Sequence, residues 1–233
     1  KILGFDFNSQ EESLYLAKLA QGSSAVGEIL GMENPDKLQI LKILGELRQS
    51  CCDPRLLYED FKEPSTKMKG AMEVIESVIE REEKVLVFSS FTSTLDLLEE
   101  MLNHHNIKYY KLTGQTSKEE RRRLVDAFQN DKTGVFLMSL KAAGVGLNLT
   151  AAQNVIHFDP WWNVSAENQA TDRTHRIGQT KDVNVFKLIM KNSIEEKILK
   201  MQEAKKELSD MFIEGSTGSF SSMSKDEIMD LFK

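Results

Sequence analysis

Cysteine is scarce in this chain of 233 residues: two occur, and they stand side by side as Cys51 and Cys52. Neighbours in sequence make a poor staple, and no Cys or His pair elsewhere has metal-ligand spacing. A disulfide scaffold and a zinc module are therefore set aside, and burial is the expected fate of both thiols. Long apolar runs are missing as well. Nothing is long enough to span a bilayer, and no basic segment followed by an apolar one marks a leader, so no membrane or secretory role is indicated. A cytoplasmic or nucleoid-associated setting is expected, nuclear in a eukaryote. Positive charge is also in short supply. With 30 basic against 36 acidic residues the net charge is −6, which confines any nucleic-acid contact to a local patch. No initial methionine is present: the chain opens Lys1-Ile2-Leu3, and a preceding segment is expected.

What is present is a 40% hydrophobic, 28% charged composition, enough to bury one sizeable core. The first stretch reads as helical, with Pro35 at a helix start and Leu38, Leu41, Leu44 and Leu47 forming an apolar stripe. The Cys51-Cys52-Asp53-Pro54 segment breaks it. A polar hinge from Glu59 to Thr66 follows, and Met68, Met72, Ile75 and Ile79 then mark one face of a further helix.

From Lys84 the pattern alternates regularly. Apolar runs Val85 to Phe88, Ile107 to Leu112, Val135 to Met138, Val155 to Phe158 and Val183 to Ile189 read as strands. Helices are expected at Thr92 to His104, Ser117 to Gln129, Ser165 to His175 and from Ser193. Ser117 with Glu120, and Ser193 with Glu196, have capping-box spacing. Continuously apolar strands separated by helices give an α/β fold, a doubly wound parallel sheet with helices on both faces. Gly215 to Ser222 reads as a Gly/Ser-rich mobile segment, and Ser224-Lys225-Asp226-Glu227 as the cap of a short helix in a frayed terminus.

In an open parallel sheet, ligands bind beyond the carboxyl ends of the strands. Four segments occupy such positions. Phe88-Ser89-Ser90-Phe91-Thr92 places hydroxyls where phosphate oxygens fit, or where Thr92 merely caps a helix. Leu112-Thr113-Gly114-Gln115-Thr116-Ser117 offers a close backbone approach at Gly114, or a plain turn; the Arg121-Arg122-Arg123 run after it reads as a solvated face. Ser139 to Leu149 sets a hydroxyl, Lys141 and the pair Gly144 and Gly146 directly after a strand, for phosphates or for tight packing. It lacks the complete dinucleotide fingerprint, which excludes an oxidoreductase of that class. Gln169 to Gln179 places Arg173 and Arg176 three apart on one helix face, either as a salt-bridge cluster with Asp172 or Glu167 or as cations for a phosphoryl-transfer transition state.

The joint occurrence of these segments in this order decides between the readings. Phe88 to Glu99 (FSSFTSTLDLLE), Ser139 to Leu149 (SLKAAGVGLNL), His157 to Gln169 (HFDPWWNVSAENQ) and Asp172 to Gln179 (DRTHRIGQ) together resemble the motor domain of Swi/Snf-family ATPases, members of helicase superfamily two. The resemblance runs from about Leu38 to Leu208. It departs mildly at Val164, Ala143 and Ser90, where the family usually has Pro, Gly and Gln.

That resemblance implies a RecA-like second motor lobe over residues 61–192, a helical insertion before it over 1–60, and a brace helix and tail over 193–233. It implies Arg173 and Arg176 as arginine fingers, with Gln169 at the same phosphate site and Gly146 and Asn148 facing the nucleotide. Ser90, Thr113, Gly114, Ser139 and Lys141 would line the path of double-stranded DNA. Trp162 would meet a DNA strand, one of Trp161 and Trp162 being buried and the other functional. ATP and magnesium would be held mainly by an N-terminal RecA-like lobe of the same protein, since no Gly-Lys-Ser/Thr loop or acidic magnesium box occurs here, and this chain alone is expected to hydrolyse ATP negligibly. A lobe of an RNA helicase, or a non-catalytic module binding nucleic acid or protein, are the alternatives.

Overall fold

A computed structural model describes residues 1–143, 146–174, 177–211 and 220–233, with the backbone alone for 206–211 and 221. In chain order the elements begin with β1 (Ile2–Phe5), α1 (Ser9–Leu30) and α2 (Lys37–Cys52), followed by a 3-10 turn at Pro54–Leu56 and α3 (Thr66–Glu80). Next come β2 (Val85–Ser89), α4 (Thr92–His104), β3 (Tyr109–Leu112), α5 (Lys118–Asn130), β4 (Val135–Ser139) and α6 (Leu140–Ala143). The chain continues through β5 (Asn154–His157), α7 (Val164–Thr171), β6 (Asn184–Met190), α8 (Ile194–Met211) and α9 (Lys225–Asp230).

Local chemistry sets the helix starts. Asn8, Asp36, Ser65, Ser117, Asn163 and Ser224 each accept a backbone N–H of the first turn through a side-chain oxygen. Ser117 makes only half of the expected capping box, because the Glu120 carboxylate is engaged with Arg123 instead. Ser193 caps through Glu195 N rather than Glu196.

Among the described residues the strands form one sheet in the order β1-β6-β5-β2-β4-β3, every pairing parallel. This is the doubly wound α/β fold. Side-chain alternation along the central strands divides the core: Val85, Val87, Val135, Leu137 and Ile156 face α3 and α4, whereas Leu86, Phe88, Phe136, Met138 and Val155 face α5, α6 and α7. A third cluster lies among α1, α2, α8 and α9.

Three expectations need correction here. The first residues are not wholly helical: β1 extends the sheet beside β6, and Gly70 of α3 makes room for it, since a Cβ there would stand 2.1 Å from the Phe5 ring. On α2 the stripe is narrower than read, with Ile40, Leu44 and Leu47 buried but Leu38 77% exposed. The terminus is not frayed. Ile228, Leu231 and Phe232 are buried in the third cluster, and Gly22 of α1 admits the Phe232 ring. The segment read as mobile lies, for residues 215–219, outside the described residues. Among described residues no helix is long and apolar enough to cross a membrane.

Candidate functional site

Because all the strands run in parallel, their carboxyl ends share one edge, and the chain's path opens a crevice in it. From β2 the chain moves outward to β3, returns to β4, then crosses β2 to β5. Ser90 follows β2, Thr113 and Gly114 follow β3, Ser139 ends β4 with Lys141 just beyond, and Trp161 and Trp162 follow β5. The sheet thus brings all six residues expected to meet DNA to a single edge.

Their surroundings differ. Ser139 is 6% exposed, and its Oγ accepts Ala142 N at 3.4 Å, starting α6, while Lys141 is exposed. The Thr113 turn is held from behind by Arg121, whose guanidinium donates to the carbonyls of Thr116, Thr113 and Gly114 at 2.9, 3.2 and 3.3 Å. Arg121 is therefore no part of a solvated face; it orders the turn. A Cβ on Gly114 would meet nothing of this chain within 4 Å, so any close approach that needs glycine there comes from outside.

At the end of β2 the polar groups are tied inward. The buried Asp159 carboxylate accepts Ser89 Oγ at 2.5 Å and Ser90 N at 3.2 and 3.3 Å. The Arg48 guanidinium, from α2, donates to Asp159 at 3.1 Å, Pro160 O at 2.9 Å and Ser90 Oγ at 3.0 Å. Phe91, Trp161 and Trp162 surround the same cation with ring centroids 4.9, 4.8 and 5.7 Å away. Neither tryptophan is fully buried, contrary to the expectation that one would be, and Trp162 packs on Phe220 with centroids 6.0 Å apart. Glu167 accepts Trp161 N at 2.8 Å and pairs with Lys187 at 2.9 Å, and Gln202 of α8 donates to both Glu167 and Trp161 O.

Beneath this edge lies a wholly buried ion pair. Lys67 Nζ donates to both Glu195 oxygens, at 2.6 and 2.7 Å, and to Phe158 O at 2.8 Å. Burial is the largest influence on both groups: it raises the Glu195 carboxyl in spite of Lys67, whereas the carboxylate against Nζ holds Lys67 above its ordinary value, so the amine stays protonated. Burial also pushes both cysteine thiols well up, which makes them inert core residues, as expected.

At the end of α7, beside the crossover from β4 to β5, Arg173 is 6% exposed and its Nε donates to Gln169 O at 3.1 Å. Leu149 N donates to Arg173 O at 3.0 Å, so the loop carrying Gly146 and Asn148 is stitched to the turn after α7. Gly146 has φ +49°, a left-handed conformation that glycine adopts without strain. Asn148 and Gln169 are exposed. Gln179 fastens the two segments again, donating to Thr150 O, Ala152 O and Thr174 O at 2.9, 3.1 and 3.3 Å. The helix expected to reach His175 stops at Thr171, and Arg176, like Gly144, lies outside the described residues. Glu167 is committed to Lys187, Trp161 and Gln202, which argues against its role as an arginine partner. No group of three or more His, Cys, Asp or Glu side chains gathers as a metal site among the described residues.

Sequence reasoning gave no individual role to Arg48, Asp159, Gln179 or Gln202. Arg48 had a signal: it interrupts the apolar face of α2 between Leu44 and Cys51.

Comparison with known proteins agrees with this geometry. Residues 67–178 match the helicase conserved C-terminal domain. An uncharacterized ATP-dependent helicase of Mycoplasma pneumoniae is 37% identical over 98% of the chain, which covers 22% of that protein. The chain spans about a quarter or less of the curated relatives it matches. Among solved structures, the C-terminal part of the Fun30 ATPase domain is 34% identical over 92% of this chain and 75% of that one, with a TM-score of 0.61. The Sulfolobus solfataricus SWI2/SNF2 ATPase core in complex with dsDNA is 31% identical over 99% of this chain and 49% of that one, with a TM-score of 0.78. The chain belongs to the Snf2 family of ATP-dependent helicases, and its sheet is the C-terminal RecA-like lobe of that ATPase.

Proposed function

We propose that this lobe works in a two-lobe motor that couples ATP hydrolysis to movement along double-stranded DNA. The observation that carries the reading is the shared carboxyl edge. Ser90, Thr113, Gly114, Ser139, Lys141 and Trp162 lie along it, and the loop carrying Gly146 and Asn148 is tied to Arg173, which is held in turn by the Gln169 carbonyl. A relative solved with dsDNA supports DNA as the partner, and ATP-dependent helicases among the relatives support ATP as the substrate.

In this reading the edge of β2, β3 and β4 follows the DNA backbone. Ordered turns present backbone N–H groups and hydroxyls to phosphates, contacts that position a protein without reading sequence. Arg173, held by the Gln169 carbonyl, and Arg176 offer delocalised charge to the phosphoryl group in flight; Gln169, Asn148 and the left-handed backbone at Gly146 complete that side. The opposite wall belongs to the N-terminal lobe of the same protein, which supplies the Gly-Lys-Ser/Thr loop and the acidic magnesium site that this sequence lacks. Magnesium, bound there, neutralises charge on the transferred phosphoryl group. This chain alone hydrolyses ATP negligibly, and closure of the lobes assembles the complete site.

The test is DNA-stimulated ATP hydrolysis by the full-length parent protein with Arg173→Ala. The rate is expected to fall roughly 10³- to 10⁵-fold while ATP and DNA binding persist. An undiminished rate would return Arg173 to a purely structural role.

A further inference from the structure

We infer that Arg48 is a positioning residue for DNA engagement: from outside the sheet it sets the Ser90 hydroxyl and the Trp161–Trp162 turn on the carboxyl edge. The inference rests on the reading of that edge as the DNA path.

The geometry behind it is unusual for a structural ion pair. Arg48 is 3% exposed and reaches Asp159 across 111 residues of sequence. A cation that only neutralised Asp159 would stop there. One terminal nitrogen of Arg48 instead serves three acceptors, Ser90 Oγ at 3.0 Å, Pro160 O at 2.9 Å and Asp159 Oδ2 at 3.1 Å. Its Nε is buried without a hydrogen-bond partner, a cost that a simpler pair would avoid. Three aromatic rings enclose the guanidinium plane.

Each contact fixes something at the edge. The bond to Ser90 Oγ takes up one lone pair of a half-buried hydroxyl, leaving its hydrogen free to turn outward to a phosphate oxygen. The Pro160 carbonyl and the two indole rings fix the turn leaving β5. Gln202 of α8 holds that turn from its other end, at Trp161 O, but it does not reach Ser90. Asp159 already ties the exits of β2 and β5, which are neighbours in the sheet, through Ser89 Oγ and Ser90 N; Arg48 adds the Ser90 hydroxyl and the Pro160 carbonyl to that tie. A lysine in its place keeps the charge and can donate from one nitrogen, but it lacks the flat guanidinium face that the three rings enclose.

The experiment titrates double-stranded DNA against ATP hydrolysis by the full-length parent, comparing wild type, Arg48→Lys, Ser90→Ala, the double variant, and Arg123→Ala as a surface control. Arg48→Lys is expected to raise the DNA concentration for half-maximal rate about ten-fold and to change the maximal rate less than about two-fold. Ser90→Ala is expected to do the same in part, and the double variant to show less than the product of the two effects. Both tryptophans of this sequence lie beside Arg48, so the difference in acrylamide quenching between the Arg48→Lys and wild-type parent reports the box, and quenching is expected to increase in Arg48→Lys. A midpoint unchanged from wild type, effects that multiply in the double variant, or a lowered maximal rate at an unmoved midpoint would each overturn the inference. A wild-type parent that ignores DNA would instead refute the reading of the edge itself. If Arg48→Lys melts well below wild type, Ser90→Ala, which leaves the buried pair intact, decides by its own midpoint.

Discussion

The two parts of the candidate site are built differently. Around Ser90 and Trp161 the polar groups are cross-linked by side chains from α2, α7 and α8, distant in sequence and largely buried. Around Asn148 and Arg173 the ties are between one loop and the turn it lies against, and Asn148, Gln169 and Lys141 stay exposed. A surface that the chain itself completes is preformed before any ligand arrives. A surface with exposed polar side chains on a locally tied loop awaits a second wall, and the N-terminal lobe is the wall proposed.

The largest break in this contrast comes from the support under the preformed part. Lys67→Ala leaves Glu195 as a buried carboxylate with no cation, and a loss of about 3–5 kcal/mol is expected, read as a collapse in melting temperature or soluble yield. Replacing both residues, as Lys67→Met with Glu195→Leu, is expected to recover most of that stability, because the charge that could not be satisfied is gone. If the single change proves harmless, the pair does not support the edge.

A smaller effect sharpens the contrast from the other side. Gln179→Ala removes a donor from three buried or half-buried carbonyls and is expected to cost about 1–3 kcal/mol in chemical denaturation. Asn148→Ala on the same loop, exposed, is expected to change stability by less than about 0.5 kcal/mol. Equal costs for the two would mean that this loop is as tightly prebuilt as the Arg48 side.

The same difference governed what the sequence disclosed. The sheet was legible because parallel strands buried on both faces are apolar throughout: Val85 to Phe88 and Val135 to Met138 read correctly from periodicity and length alone. Strand β1 escaped because it is a short edge strand with alternating exposure and has a side chain, Phe5, whose seat is a glycine 65 residues away on α3. The candidate residues were singled out by position, most of them soon after a strand but Gln169 and Arg173 on and after α7, and by their order along the chain. Their supports were not. Arg48 and Asp159 carry no local pattern that pairs them, since their meeting depends on the path of α2 over the finished sheet. The docked tail was hidden for a like reason: Ser224 and Glu227 announced a helix, but only the third cluster gives Ile228, Leu231 and Phe232 somewhere to go.

The smallest effect lies where the two parts meet. His157 ends β5 between them, buried, stacked on Phe88 with its Nε2 3.0 Å from Thr171 Oγ1 and its Nδ1 without a partner. Burial pushes its pKa below the ordinary value, with Glu167 nearby pulling the other way, so the folded chain keeps the ring neutral. The unfolded chain takes up a proton below about pH 6.5, and the folded one resists. The stability conferred by neutral His157 is thus intact above that value and is lost as the pH falls from there towards the lowered folded pKa, with a slope of at most about 1.4 kcal/mol per pH unit. His157→Gln keeps a polar partner for Thr171 and removes the proton uptake. Denaturant midpoints between about pH 7.5 and 5 are expected to fall more steeply for wild type than for this variant. Parallel slopes would show that His157 is protonated without penalty, and that the junction between the two parts of the site is wetter than its burial shows.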